Sequence, residues 1–505
     1  MLDWLSARAQ TTPEAPALII GERQWTYAAL QREVEQTARG LVGLGVGRGD
    51  HVGVLLPNDL SYVCLVHALA RLGAVLAPLN TRLAPAELDW QVRKTGCRLL
   101  LYGERTAQQA GALSGEGYEV QPVAALARAA PKATLPAHNF DLHAMQAVVF
   151  TSGTTGRPKG VMLTFANHFW SATASAFRLG LQPGDRWLSC LPLYHVGGLA
   201  VLFRSALYGT AVILEQGFDV ARFNHILDEQ AATMTSLVPT MLYRLLPTRR
   251  SWPASLRLVL VGGAATSPEL AAASAEVGAP VASTYGLTEA ASQVATMLPV
   301  DVQRKPGSVG RPLMFTQVQV VDETGTLLPP GERGEVLVKG PTVMGGYYED
   351  EAATAQALDG GWLHTGDMGY VDGDGDLWIV QRRSDMIVSG GENVYPAEVE
   401  RALMQHPAVA AACVVALPHA EWGQQVAAMV AARSGEALSE AALEAFLRER
   451  LAGYKVPRRW RFVAQLPQTA SGKIARRDVQ AQLQLERGRS DAEDEVHAGA
   501  EEGVQ

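Results

Sequence analysis

The stretch Thr151-Ser-Gly-Thr-Thr-Gly-Arg-Pro-Lys-Gly160 follows directly on the apolar run Ala147–Phe150. Its glycines Gly153, Gly156 and Gly160 open backbone angles closed to other residues and let main-chain N–H groups approach an anion. The hydroxyls of Thr151, Ser152, Thr154 and Thr155 add donors, and Lys159 adds positive charge. This is the chemistry of a phosphate cradle. It is not a Walker loop, because no Gly-Lys pair within it precedes Ser or Thr. A plain Gly/Thr surface turn is the competing reading, and the strand that feeds the loop disfavours it.

Four further stretches carry complementary chemistry. Ser283-Thr-Tyr-Gly-Leu-Thr-Glu289 offers an aromatic face for a base and a carboxylate for a hard cation that bridges phosphates. A charge favoured by a helix N-terminus is the bland alternative for Glu289. Gly361-Trp-Leu-His-Thr-Gly-Asp367 ends in a short carboxylate, the natural bidentate acceptor for a diol. Gln381-Arg-Arg-Ser-Asp-Met-Ile-Val-Ser-Gly-Gly-Glu-Asn-Val-Tyr-Pro396 pairs arginines with a double glycine. Leu466-Pro-Gln-Thr-Ala-Ser-Gly-Lys473 places one lysine after a Ser-Gly turn. Alone, each reads as a turn or a surface charge.

In this order, and over nearly the whole chain, these stretches resemble the adenylate-forming superfamily of acyl-CoA synthetases, luciferases and peptide-synthetase adenylation domains. The resemblance implies an AMP-forming acid–CoA ligase that uses ATP, Mg2+ and coenzyme A, with a small-molecule carboxylic acid as third substrate. It assigns Thr151, Ser152, Gly153, Thr154, Thr155, Gly156 and Lys159 to the phosphates. Gly262, Gly263 and Ala264 line the adenine pocket, Thr284, Tyr285 and Gly286 continue it, and Tyr285 stacks near the base. Thr288 touches the α-phosphate, Glu289 holds magnesium, Asp367 takes the ribose hydroxyls and Arg382 contacts ribose and phosphate. Lys473 serves adenylation, Ser384 stands at the hinge, and Gly390 and Gly391 form the loop offered to the thiol. Ser384 stands where many relatives carry Asp or Lys, and Gln381 where Gly or Asp is usual.

The acid itself is addressed by Leu191-Pro-Leu-Tyr-His-Val-Gly-Gly-Leu-Ala-Val-Leu-Phe-Arg-Ser-Ala-Leu-Tyr-Gly209. By resemblance His195 lies at the wall of the acyl pocket. Arg204 interrupts an otherwise apolar helical run, which a fatty tail would not require. Two readings stay open: a snorkelling or core-paired cation, and an anchor for a second carboxylate on the substrate. The run itself, Thr164–Ala172, Tyr285–Thr296 and Arg382–Glu400 resemble the branch of the family that activates 2-succinylbenzoate, an aromatic keto-diacid of menaquinone biosynthesis. Ser236, Ser292 and Gln293 are further pocket candidates. The rival is a general aryl- or medium-chain acyl-CoA synthetase. A catalytically idle adenylate-binding protein would lack a key residue, yet Lys159, Glu289, Asp367, Arg382 and Lys473 are all present.

The elements that must position these groups are visible as alternation. Helical periodicity over Tyr27–Leu44 and Leu60–Leu72 alternates with strand-like runs at His51–Leu56, Ala74–Leu79, Ala147–Phe150, Ala211–Leu214, Leu256–Val261 and Val281–Ser283. That predicts α/β layers with largely parallel sheets. After Gln317, short alternating strands follow, with a turn at Asp372–Gly375. Past Asp385 come a helix from Pro396, strands near Val409–Leu417 and Val426–Ala431, and a helix from Glu440. The expected architecture is a large N-terminal α/β domain (1–381), a hinge (382–385), a small mobile α+β domain (386–485) and a disordered acidic tail (486–505).

Composition sets the outer limits. The 505 residues are 48% hydrophobic and 19% charged, ample for a large core. A net charge of -8 argues against a nucleic-acid partner. Four scattered cysteines without a CxxC pair suit a reducing compartment and no thiolate zinc site. No apolar run reaches the roughly 20 residues of a transmembrane helix, and the first residues lack a secretory pattern. A cytoplasmic enzyme follows as the expectation, with a homodimer as the assembly enzymes of this type often adopt.

Overall fold

The computed structural model describes residues 2–129, 134–135, 140–151, 158–381, 386–433, 436, 438–467 and 474–485. Several expectations lie outside them: Ser152, Gly153, Thr154, Thr155 and Gly156, the hinge 382–385 with Arg382 and Ser384, Lys473, and the tail 486–505. The described residues sort into two compact units. The larger takes in the described parts of Met1–Thr81, Leu88–Thr151 and Lys159–Ser384; the smaller is built mainly on those after Asp385.

Three sheets organise the larger unit. A six-stranded sheet centres on His51–Leu55, Val75–Pro78 and Leu99–Tyr102, all parallel, and includes β1 (Met145–Thr151) parallel to Val75–Pro78. At its edge β2 (Lys159–Thr164) returns antiparallel to β1, which pairs Lys159 with Thr151. Helix α1 (Phe165–Leu179) starts at once because Thr164 and Asn167 form a reciprocal cap. Asn167 N–H donates to Thr164 Oγ1 at 3.2 Å, and Thr164 N–H to Asn167 Oδ1 at 2.8 Å.

The nine-stranded sheet carries β3 (Arg186–Ser189) and, after helix α2 (Val196–Tyr208), β4 (Met234–Leu237), β5 (Leu258–Val261), β6 (Val281–Leu287) and β7 (Ser292–Met297). Strands β3 to β6 are mutually parallel in the order β3, β4, β5, β6, and β7 turns back antiparallel on β6. The expected parallel character therefore holds at the centres and reverses at sheet edges, where short returns replace helical crossovers. Helix α2 is buried from Gly198 to Ala206, as an all-round apolar helix requires. The third sheet is antiparallel and holds β8 (Trp362–Val371).

Helix Leu60–Leu72 matches its expected bounds, and Tyr27–Gly43 falls one residue short of them. Strand β6 runs on to Leu287, past the expected end at Ser283, so Tyr285 and Gly286 lie inside a strand. Antiparallel pairing with β7 explains the extension, since it gives backbone partners to residues whose types alone suggest a loop.

The smaller unit is a five-stranded sheet with helices Pro396–Met404 and Glu440–Arg448. Strands Ile387–Ser389 and Glu392–Val394 are joined by Gly390-Gly391, both at positive φ (60° and 84°), the two-residue hairpin that demands such angles. Buried Lys455 is satisfied by Glu398 at 2.9 Å. Among the described residues no helix is long and apolar enough to cross a membrane.

Candidate active site

Parallel strands β3, β4, β5 and β6 all end at one edge of the sheet, and that edge collects the candidate residues. Crevices at the carboxyl ends of parallel strands are the usual ligand positions of open α/β sheets. Gly262, Gly263 and Ala264 follow β5, and Gly262 approaches Thr284 so closely that a Cβ would lie 2.7 Å from its Cγ2. Thr284 donates to Ala295 O at 2.9 Å, within the β6–β7 pair.

The β6–β7 pair is tight. Leu287 faces Ser292 and Gly286 faces Gln293 in register. A Cβ on Gly286 would fall 1.7 Å from Ser292 O, so no side chain is tolerated there. The preceding residue, buried Tyr285, donates its hydroxyl to Asp367 Oδ2 at 2.6 Å. Asp367 is set in β8 by its own N–H on Thr365 Oγ1 (3.1 Å), while Gly366 N–H donates to Glu335 Oε1 (2.9 Å). Two segments 82 residues apart thus present an aromatic ring beside a carboxylate, as a nucleoside would need.

Past Thr288, the half-buried Glu289 accepts a hydrogen bond from Tyr347 Oη at 3.0 Å. The Lys159 ammonium sits 5.0 Å from the centre of the same tyrosine ring. Burial raises the Glu289 pKa, and its backbone bond, the Tyr347 hydroxyl and Lys159 oppose that rise. Lys159 is in turn fixed by its rung opposite Thr151, so both ends of the candidate phosphate loop start from one β-pair.

No cluster of three or more His, Cys, Asp or Glu that could hold a metal occurs among the described residues. Magnesium does not require one, because it commonly takes one or two carboxylates together with substrate phosphates and water. Glu289, with one oxygen held by a hydroxyl and a cation nearby for phosphate, fits that pattern.

A second group gathers along α2. His195 precedes its first turn, with the ring packed edge-on against Tyr194. Further along the helix, Arg204 is 2% exposed. Its guanidinium reaches Ser292 Oγ at 3.4 Å and lies 5.6 Å from the Trp187 ring centre, while Nε has no partner among the described residues. Burial pulls its pKa down, Tyr208 opposes that, and no described carboxylate enters the balance. Trp187 donates to Ser236 Oγ at 3.0 Å, so Ser236, Trp187, Arg204 and Ser292 form one polar tier from β4, β3, α2 and β7. The Gln293 amide turns toward Thr296 Oγ1 (3.0 Å) and Thr284 Oγ1 (3.4 Å). His168 on α1 is buried near Arg204; burial, then Arg204, pushes its pKa down to about 3.

Trp187, His168 and Tyr347 escape the sequence reading. No spacing rule connects 187 with 204 or 347 with 289, and each reads as an ordinary core aromatic or histidine. The Gly390-Gly391 turn belongs to the smaller unit, where Gly390 N–H donates to Trp422 O at 3.2 Å and has open space where a Cβ would project.

The AMP-binding enzyme family matches residues 5–348, and the AMP-binding enzyme C-terminal domain matches residues 398–473. The 2-succinylbenzoate–CoA ligase of Geobacillus kaustophilus is 43% identical over 95% of this chain and 97% of its own. That of Bacillus licheniformis is 42% identical over 94% and 98%. A double mutant of o-succinylbenzoate CoA synthetase from Bacillus subtilis, bound with its product analogue OSB-NCoA, is 38% identical with a TM-score of 0.91, covering 95% of this chain and 98% of that one. The Bacillus subtilis enzyme in complex with ATP and magnesium ion gives 38% and 0.73 over 94% and 98%. With both regions matched and relatives above 40% identity along almost its full length, the chain belongs to the AMP-binding enzyme family, alongside the 2-succinylbenzoate–CoA ligases.

Proposed function

We propose that this chain is an AMP-forming acid–CoA ligase that converts 2-succinylbenzoate, ATP and coenzyme A to 2-succinylbenzoyl-CoA, AMP and pyrophosphate, a step of menaquinone biosynthesis. The observation that carries the reaction is the convergence of the Tyr285–Asp367 pair, from β6 and β8, with Glu289 just past β6, Tyr347 and Lys159 on β2.

The chemistry explains the need for two steps. A carboxylate cannot expel oxide, so its oxygen attacks the α-phosphorus of ATP, an acyl–phosphate bond forms, and the bond to the β-phosphate breaks. Pyrophosphate leaves. The coenzyme A thiol then attacks the acyl carbon, loses its proton to solvent and expels AMP. Tyr285 and Asp367 hold the nucleoside, with Asp367 accepting from the ribose hydroxyls. Gly262, Gly263 and Ala264 line the adenine, Thr288 contacts the α-phosphate, and the 151–156 loop with Lys159 and Arg382 takes the phosphates. Magnesium, when bound at Glu289, offsets phosphate charge. Lys473 acts in adenylation, and the Gly390-Gly391 turn in thiol transfer, with Ser384 as the hinge between the two.

On the acid side, Arg204 supplies a buried cation for the carboxylate that is not activated, with Ser292, Ser236 and Trp187 around it and His195 at the pocket wall. Gln293 braces the β7 side. We place the enzyme in the cytoplasm, in keeping with four buried free thiols, Cys64, Cys97, Cys190 and Cys413. A homodimer is the proposed assembly, testable by sizing in solution.

Pyrophosphate release across a panel of acids tests the reading. We expect kcat/KM for 2-succinylbenzoate to exceed that for benzoate and octanoate by at least about 10²-fold, since a site built for a polar group rejects acids that leave it unpaired. Equal turnover of the three acids overturns the substrate assignment.

A further inference from the structure

We propose that Tyr347 is the positioning residue for the magnesium-holding carboxylate, fixing Glu289 through its hydroxyl and Lys159 through its ring. The proposal rests on the ligase reading above. Tyr347 itself lies outside every motif picked from the sequence.

The segment around Tyr347 is tied to both partners by backbone as well as side chain. Met344 N–H donates to Glu289 O at 2.8 Å. On the other flank, Tyr348 N–H donates to Gly160 O (2.7 Å), Met162 N–H to Gly346 O (3.0 Å), and Val161 bridges to Tyr347. Tyr347 therefore stands between β2, which carries Lys159, and the turn that carries Glu289. Its hydroxyl meets one (Oε1, 3.0 Å), and its ring face meets the other (5.0 Å).

That arrangement solves a specific difficulty. A glutamate side chain has several free torsions, whereas magnesium demands near-octahedral geometry at about 2.0–2.1 Å. A hydrogen bond on Oε1, together with the carboxylate's bond to its own backbone N–H, fixes the carboxylate plane, and its remaining lone pairs would hold the cation. The ring holds the ammonium by its π face without consuming its three donors, which stay available for phosphate oxygens. One side chain thus sets the separation between the two charges that must straddle the phosphates.

Partners that orient metal ligands typically contribute about 10–100-fold to metal affinity. The test compares wild type, Tyr347→Phe and Tyr347→Leu by calorimetric titration of a non-hydrolysable ATP analogue, with magnesium and in EDTA, after matching their melting profiles. Tyr347→Phe keeps the ring and loses the hydroxyl. We expect it to weaken magnesium-dependent binding by roughly 10-fold or more while leaving binding in EDTA unchanged. Tyr347→Leu should weaken both, because Lys159 loses its platform. On a Glu289→Gln background, Tyr347→Phe should add little, which marks the two as one unit and serves even if a single variant folds poorly.

Equal weakening of Tyr347→Phe with and without magnesium, or additive losses with Glu289→Gln, overturns the proposal. If wild type itself gains nothing from magnesium, the ligase reading fails instead.

Discussion

Arg204→Met separates a structural arginine from one that waits for substrate. The guanidinium is 2% exposed, carries an unpartnered Nε among the described residues, and meets one neutral hydroxyl at 3.4 Å and one ring. A buried polar group left unsatisfied costs about 1–3 kcal/mol, more when charged. Methionine keeps an apolar stem and removes that cost, so the melting temperature should hold or rise. A structural ion pair behaves oppositely, since breaking one destabilises by about 3–5 kcal/mol. Function should move the other way. A charge-assisted contact to a substrate carboxylate in this buried tier contributes about 3 kcal/mol, a factor of about 150 in kcat/KM for 2-succinylbenzoate. Pyrophosphate release at saturating ATP, with ATP KM and a calorimetric melt in parallel, reads all three quantities. An analogue with methyl in place of the second carboxylate should be used equally by wild type and variant. A melting temperature that drops by several degrees while the acid KM stays unchanged refutes the reasoning.

Tyr285→Phe deletes the donor to Asp367 and should raise ATP KM about 5–10-fold, from about 1–1.5 kcal/mol of hydrogen bonding, with little change for the acid; an unaltered ATP KM denies the pair its nucleotide role. Lys305 serves stability instead, because its ammonium bonds Asp372 (2.8 Å) and Asp376 (2.6 Å) and pairs with Asp374 (2.8 Å). Burial pushes Asp372 up, but Lys305, the Trp378 indole and backbone amides outweigh it and hold the carboxyl well below its usual range. A depressed carboxyl stabilises above its unfolded pKa, and the benefit fades as pH falls toward the folded value. The melting-temperature gap between wild type and Lys305→Met should therefore be widest near neutrality and close on acidification below about pH 4; a gap independent of pH contradicts this. Lys473→Ala should slow adenylation by at least about 10²-fold and spare thioester formation from supplied acyl-adenylate; equal loss in both half-reactions removes its assignment to the first.

What the sequence makes legible in this protein is local. The glycines after β5 and the Thr-Glu after β6 announce themselves as candidates because short polar stretches interrupt apolar runs. Helix bounds are readable where a cap marks them: Thr26 starts Tyr27–Gly43 and accepts from Ala29 N–H, and Asp59 does the same for Leu60–Leu72 through Tyr62 N–H. Distant pairings are not legible. The turn-back of β7 on β6 depends on Gly286 lying against Ser292 O, which reveals itself only once both strands are in place. Tyr347 looks like any half-hydrophobic residue after two glycines until the chain brings it to Glu289, 58 positions earlier. Arg204 stands out as an anomaly, yet its surroundings of serine and tryptophan come from other elements.

The β6–β7 return has a practical corollary for redesign. Its first strand bears the ring that meets Asp367, and its second bears the hydroxyl that meets Arg204, with Leu287 and Ser292 directly opposed. Both α1 and α2 reach this ribbon, through Ser171 Oγ on Ala291 O (2.7 Å) and Arg204 on Ser292 Oγ (3.4 Å), so changes on either helix, like mutations at 292, tug on the ribbon proposed to seat the base. Libraries that leave this ribbon untouched should retain nucleotide use across many new acids.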